Sequence, residues 1–114
     1  MSSLREKSCS LCALGGSPLK GQRLIDLKKQ IDTTWELVEE HHLMKTFSFK
    51  NFSQGVKFIN AIAEVAEKEN HHPDVNLSYK SVKITLFTHK IKGLSESDFI
   101  MADKIDAIHT SMSV

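Results

Sequence analysis

The feature that most constrains the fold is one long amphipathic segment in the middle of the chain. In FSQGVKFINAIAEVAEKE, residues 52–69, apolar side chains recur at spacings of three and four. This period is typical of a helix that buries one face. Asn51 precedes the segment as an N-cap residue, and Pro73 follows it as a helix stop. The sequence therefore predicts a helix over residues 52–69.

Two pairs of strand-like segments flank this helix along the chain. WELVEE at residues 35–40 and LMKTFSFK at residues 43–50 come before it. VNLSY at residues 75–79 and VKITLFTH at residues 82–89 come after it. Alternating apolar and polar residues, rich in aromatic and β-branched types, indicate strands. Each pair therefore predicts a hairpin, with His89 on the face of the last strand that points away from the main core.

Two further helices are predicted near the ends of the chain. KGQRLIDLKKQI at residues 20–31 has one apolar face, and a second amphipathic stretch runs from Ser95 to about residue 110. Ser95 and Asp98 resemble a capping box with Asp in place of Glu. The order α-β-β-α-β-β-α predicts an α+β fold, a four-stranded antiparallel sheet with three helices packed on one face.

Length and composition limit the chain to one domain. A chain of 114 residues is one domain by the usual prior, and we expect residues 1–16 to be a flexible tail before a domain at 17–114. Cys9 and Cys12 fall in that tail, where they have no role by the favoured interpretation; a metal site or a redox sensor is the alternative.

Charge and hydropathy exclude two classes of partner. The net charge is +1, from 15 basic and 14 acidic residues. The sequence has no basic patch of the kind that binds nucleic acid, so we expect no direct nucleic acid binding. No apolar run approaches the ~20 residues that a membrane-spanning helix needs. We expect a cytoplasmic protein.

The histidines are the candidates for chemistry. His71 and His72 are adjacent, so in extended chain their side chains point in opposite directions and do not readily share one metal. Exposed loop histidines without a role and acid–base groups both remain open, because an unperturbed imidazole titrates near pH 6.5. His41 and His42 are expected in an exposed turn without a function. Glu67 lies near the end of the long helix, either in solvent or directed into a site.

A set of spaced residues resembles the signature of the pterin-4a-carbinolamine dehydratases. The resemblance covers about residues 19–110 and is carried by these positions: Glu67-x-x-x-His71-His72-Pro73, then Tyr79, His89 and Gly93-Leu94-Ser95-Glu96-x-Asp98. It implies the same four-stranded fold, a small pterin substrate, and neither metal nor cofactor. It also implies a homodimer or homotetramer, with sheet edges and helical faces as the contacts.

The resemblance also implies roles for individual residues. The implied reaction is the loss of water from a 4a-hydroxytetrahydropterin. His71 and His89 are implied as the acid–base groups, and His72 is implied mainly to orient the substrate. The residues implied in substrate binding are Glu67, Asn70, Pro73, Tyr79 and Asp98.

Three positions depart from the family pattern. Asn70, Val75 and Ser97 stand where an acidic residue, an aromatic residue and an arginine are frequent, which affects the expected affinity for substrate more than the type of reaction. The alternative function is a protein-binding role as a dimerisation cofactor of a transcription factor, for which no residue gives support. That alternative would add a nuclear location.

Overall fold

The computed structural model describes Leu4 and residues 17–112. The elements in chain order are α1 (Gly21–Lys28), β1 (Glu36–Val38), β2 (His42–Ser48), α2 (Phe52–Glu69), β3 (Asp74–Ser78), β4 (Ser81–Leu86), a short 3-10 helix (His89–Ile91) and α3 (Glu96–Met112). The predicted order of helices and strands is confirmed.

The predicted N-terminal tail lies outside the described residues, as do Cys9 and Cys12. Leu4 is the exception: its side chain is 3% exposed and belongs to the hydrophobic core. Within the described part of the chain, no helix combines the length and the apolar character needed to cross a lipid bilayer.

The four strands form one antiparallel sheet in the order β1-β2-β4-β3. The two hairpins are joined by the central pair β2 and β4, whose register runs from Leu43 opposite Leu86 to Ser48 opposite Ser81. β1 and β3 are consequently the two edges of the sheet.

The core lies between one face of this sheet and the helices. On β4, Val82, Ile84 and Leu86 are all fully buried, as their alternation predicted. Phe58 and Ile62 of α2 are buried as well. Burying each side chain of this size contributes about 1.5–3 kcal/mol, so the apolar face of α2 and the facing strands hold the fold together.

The last strand is shorter than the sequence pattern suggested. β4 ends at Leu86, and Thr88 then pairs with Gly93 in an isolated antiparallel bridge. Lys92 adopts the left-handed conformation, with φ 51°, which lets the chain turn back within a few residues. His89 therefore lies in a closed loop and not on the strand as predicted, and its side chain is exposed, outside the hydrophobic core.

A cluster of rings covers the end of α3. The imidazole of His109 lies 4.9 Å from the ring of Phe47, 5.5 Å from Phe49 and 5.7 Å from Phe58, measured between centroids. Burial among these rings lowers the pKa of His109, and the charge of Lys45 acts in the same direction against an opposing effect of Asp106. The fold thus favours the neutral imidazole.

This lowered pKa predicts a loss of stability in mild acid. The unfolded chain takes up a proton on His109 near pH 6.5, before the folded chain does, so the free energy of unfolding falls as the pH drops below about 6.5 and levels off below the folded pKa. Urea titrations at pH 7.5 and 5.5 should show a smaller difference for His109→Gln than for the wild-type protein or the control His42→Gln. An equal difference in all three proteins would contradict this account.

Candidate active site

The candidate site is organised around the carboxylate of Asp98, which is 0% exposed in the first turn of α3. Its Oδ1 lies 2.7 Å from Nε2 of His71. Its Oδ2 accepts hydrogen bonds from Oγ1 of Thr88 at 2.8 Å and from the backbone N–H of Ser95 at 2.9 Å. One buried carboxylate therefore ties together the segment after α2, the segment after β4 and the start of α3.

Asp98 is at once a helix cap and a partner of His71. Its bond from the N–H of Ser95 is half of the predicted capping box. The other half is replaced: Oγ of Ser95 lies 2.8 Å from Oγ1 of Thr88, and the N–H of Asp98 donates to the carbonyl of Ser95 at 3.1 Å. Since Thr88 donates its single hydroxyl proton to Asp98, Ser95 is the donor to Thr88.

The end of α2 directs His71 inward. Asn70 ends the helix in the left-handed conformation, φ 53° and ψ 41°, and its N–H donates to the carbonyl of Ala66. Asn adopts this conformation more readily than most residues do. The N–H of His71 also donates to Ala66, at 3.1 Å. The chain thus reverses sharply, and His71 is 7% exposed beside Asp98.

His72 points the other way, into solvent. Its side chain is 53% exposed, and its Nε2 lies 3.3 Å from Oε2 of Glu67, whose side chain is 78% exposed. Glu67 therefore lies in solvent beside His72, and not against the apolar face. Pro73 is half-buried and leads directly into β3.

His89 reaches the same region through Thr88. It is exposed on the 3-10 helix, inside the loop that the N–H of Thr88 closes by donating to the carbonyl of Gly93 at 2.7 Å. Because Thr88 also binds Asp98, the loop with His89 starts at the carboxylate that holds His71. The ring of His89 lies 4.1 Å from the ring of Phe87, between centroids. The structure thus brings His71, His72 and His89 to one end of the sheet.

Tyr79 is not part of this cluster within one chain. It is 69% exposed in the turn between β3 and β4, beneath the Nζ of Lys80 at 5.2 Å. β3 runs from the histidine end of the sheet to this turn. With about 3.3 Å per strand residue, Tyr79 is on the order of 20 Å from Pro73.

Sequence reasoning missed Thr88 and Phe87 as residues of the site. The alternating pattern indicated that the strand continues through both residues. Only the observed end of β4 at Leu86 shows that Thr88 begins a loop. Among the described residues, no group of three or more His, Cys, Asp or Glu side chains is placed to hold a metal ion.

Comparison with known sequences finds one family. The family model described as pterin 4 alpha carbinolamine dehydratase matches residues 17–108. A protein of Alkaliphilus metalliredigens is 49% identical over 93% of this chain and 96% of its own length. One of Rubrobacter xylanophilus is 48% identical over 95% of this chain and 100% of its own length. Both carry the name "Putative pterin-4-alpha-carbinolamine dehydratase".

Two solved structures resemble the fold. A transcriptional coactivator/pterin dehydratase from Brucella melitensis superposes with a TM-score of 0.74 and 32% identity, over 81% of this chain and 98% of that one. A pterin dehydratase-like protein, identified as a RuBisCO assembly factor in the alpha-carboxysome, gives a TM-score of 0.57 and 27% identity, over 66% and 88% of the two chains.

The contacts of Asp98 predict the effect of Asp98→Asn. An amide of the same shape has only one acceptor oxygen. Its NH₂ group either faces the donors Thr88 and Ser95, or faces His71 and requires the ring to accept at Nε2, where it donates to the carboxylate. We expect the free energy of unfolding to fall by about 1–3 kcal/mol. Urea titration checks this, with the exposed Asp74→Asn as the control. Equal stability of both variants would show that the carboxylate does not join these segments.

Proposed function

The chain belongs to the pterin 4 alpha carbinolamine dehydratase family, and from this premise we propose that it removes water from a 4a-hydroxytetrahydropterin to give the quinonoid dihydropterin. The observation that carries the proposal is the buried pair of His71 and Asp98, 2.7 Å apart, next to the loop of His89. Two imidazoles in different surroundings are suited to giving and taking protons near neutral pH.

The reaction requires one proton donor and one proton acceptor. The bond between carbon 4a and its hydroxyl oxygen breaks, and the oxygen leaves with the electron pair and takes up a proton as water. The proton on N5 is lost, and its electron pair forms the double bond between N5 and carbon 4a. The net change is the loss of one water molecule. The proton donor and the proton acceptor then return to their starting states by exchanging protons with solvent.

We assign these two transfers to His71 and His89. A carboxylate behind an imidazole fixes the orientation and tautomer of the ring and stabilises the imidazolium that forms when the ring takes up a proton. Asp98 is placed to do this for His71. The side chain of His71 is 8% exposed, so it would meet the substrate along one edge only. His89 is open to water, which favours proton exchange with solvent after each turnover.

His72 and its neighbours are proposed as the binding residues. The exposed pair of His72 and Glu67 can hydrogen-bond to the polar edge of a pterin. Asn70 and Pro73 set the backbone on either side of the two histidines, so their contribution is to the shape of the site. Asp98, being fully buried, would act through His71 and not by direct contact with the substrate.

Self-association is the second part of the proposal. β1 and β3 are the sheet edges of a single chain, and an open edge is a liability that pairing with a second copy would remove. Antiparallel pairing of β3 with the β3 of a second copy would also carry the Tyr79 of that copy toward His72 and Pro73. A homodimer or homotetramer would thereby give Tyr79 the binding role that the family resemblance implies.

The proposed setting is tetrahydrobiopterin recycling in the cytoplasm. The alternative is a non-catalytic role as a dimerisation cofactor of a transcription factor, which would add a nuclear location. The description of the Brucella melitensis protein as a transcriptional coactivator/pterin dehydratase applies to that protein. The two roles are separable, because only the enzymatic one depends on the histidines.

Histidine variants test the acid–base assignment. We expect His71→Ala and His89→Ala each to lower kcat by roughly 10²-fold, the scale of one positioned acid or base. Stopped-flow absorbance with freshly generated 4a-hydroxytetrahydrobiopterin measures the rates. Circular dichroism confirms folding, and His109→Gln, at a histidine that lies among Phe47, Phe49 and Phe58, is the control. Wild-type rates in both single variants and in the double variant would overturn the assignment.

The mass in solution tests the proposed assembly. Size-exclusion chromatography with light scattering should give two or four times the chain mass of 12.8 kDa. Replacing Val75 of β3 by proline should lower that mass. Val75 faces Ile84 in a non-hydrogen-bonded pair of the β3–β4 ladder, so its N–H points to the open edge, where proline has no N–H to donate. A wild-type protein that is strictly monomeric at micromolar concentration would contradict the assembly.

A further inference from the structure

The ring of His89 contacts one aromatic side chain outside the main hydrophobic core. Its ring lies 4.1 Å from that of Phe87, between centroids, at an interplanar angle of 41°. Phe87 is half-buried although its side chain lies outside the main core. This ring pair is the interaction that the structure records for the imidazole of His89, so the orientation of an otherwise exposed group depends on Phe87.

His41 covers the ring of Phe87 in turn. The centroids of His41 and Phe87 are 5.1 Å apart, with 35° between the ring planes. His41 also meets His42, with 3.1 Å between the two Nδ1 atoms. A row of rings thus runs along the end of the sheet from His42 through His41 and Phe87 to His89.

The turn before β2 fixes the position of His41. Glu39 and Glu40 both have positive φ, 52° and 55°, and the N–H of His41 donates to the carbonyl of Val38 at 2.8 Å. Consecutive left-handed residues other than glycine are uncommon, because their side chains crowd the backbone. The surrounding structure therefore has to hold this turn, and the contact of His41 with Phe87 is part of what does so.

We propose that Phe87 is a positioning residue of the dehydratase, whose ring holds the imidazole of His89 toward the substrate while His41 supports that ring from the other side. The proposal rests on the activity proposed above. Acid–base catalysis requires its group within hydrogen-bond reach of the reacting atom, and small misplacements are costly in rate. Phe87 contacts no reacting atom in this scheme and acts through His89 alone.

The test replaces the ring while keeping an apolar side chain. In Phe87→Leu, kcat should fall about tenfold with KM changed by less than about twofold, because a misdirected imidazole affects the chemical step more than binding. Phe87→Tyr retains the ring and should restore kcat. Phe52→Leu is the matched control, since Phe52 is 48% exposed at the far end of α2. His41→Ala should lower kcat less than Phe87→Leu does.

Nuclear magnetic resonance supplies a readout that does not depend on activity. Stacking on Phe87 should shift the ring protons of His89 upfield relative to those of the exposed His72. Phe87→Leu should remove this shift, Phe87→Tyr should keep it and Phe52→Leu should leave it unchanged. The resonances are assigned with His89→Gln. If Phe87→Leu does not fold, Phe87→Met gives the same comparison with a larger unbranched side chain.

The outcomes separate this proposal from the activity it rests on. An active wild-type protein whose kcat and His89 shifts are unchanged in Phe87→Leu overturns the positioning role alone. A loss of kcat that Phe87→Tyr does not restore, or a change confined to KM, also overturns it. A wild-type protein without dehydratase activity refutes the proposed function and with it the positioning role, even if the shifts of His89 still show the ring contact.

Discussion

The hydrogen bonds of one buried carboxylate determine how three separate segments of this chain meet. A fully buried carboxylate is costly unless donors satisfy it, because desolvation of the charge is not otherwise repaid. Asp98 meets that requirement with His71, Thr88 and Ser95. The same bonds start α3, close the base of the loop with His89 and hold His71 in place. The carboxylate that joins these segments is therefore also the group that orients a candidate catalytic histidine.

The sheet provides the frame in which these bonds form. Pairing of β2 with β4 in the middle of the sheet fixes where β4 ends, and its end fixes Thr88 opposite Gly93. The left-handed Asn70 ends α2 one residue before His71, which bonds to Asp98. Neither loop is long, so their ends have little freedom once the core is formed. Short connections on a packed frame give side chains the fixed positions that catalysis by proton transfer requires.

Local pattern was sufficient for the elements of the fold, whereas the candidate site residues came from the resemblance to the dehydratase family. The period of α2 gave its bounds, residues 52–69, without error, and the parity of β4 gave the buried face. The position of Glu67 beside the apolar face of α2 did not decide whether its side chain lies in solvent or in a site. In the structure it lies in solvent. The sequence does not decide whether Asp98 caps α3 or belongs to the site. In the structure the carboxylate does both, with Ser95 as the cap contact and His71 as the site contact.

What the pattern could not give depends on contacts between distant segments. The order β1-β2-β4-β3 follows from pairing between two hairpins, which alternation within a hairpin does not encode. The early end of β4 depends on the bridge from Thr88 to Gly93. His41 and His42 were expected to be an exposed turn without a role, whereas both are half-buried and His41 packs on Phe87. The position of Tyr79, far from the histidines, follows from the direction of β3.

The end of the sheet organised by Asp98 is the proposed pterin site. The most direct measurement is a crystal structure of the protein with a bound dihydropterin. We expect the ring at this end of the sheet, with the edge that carries N5 and carbon 4a within about 3.2 Å of His71 or His89, directly or through one water. A ring bound elsewhere, with none of the three histidines in reach, would contradict it.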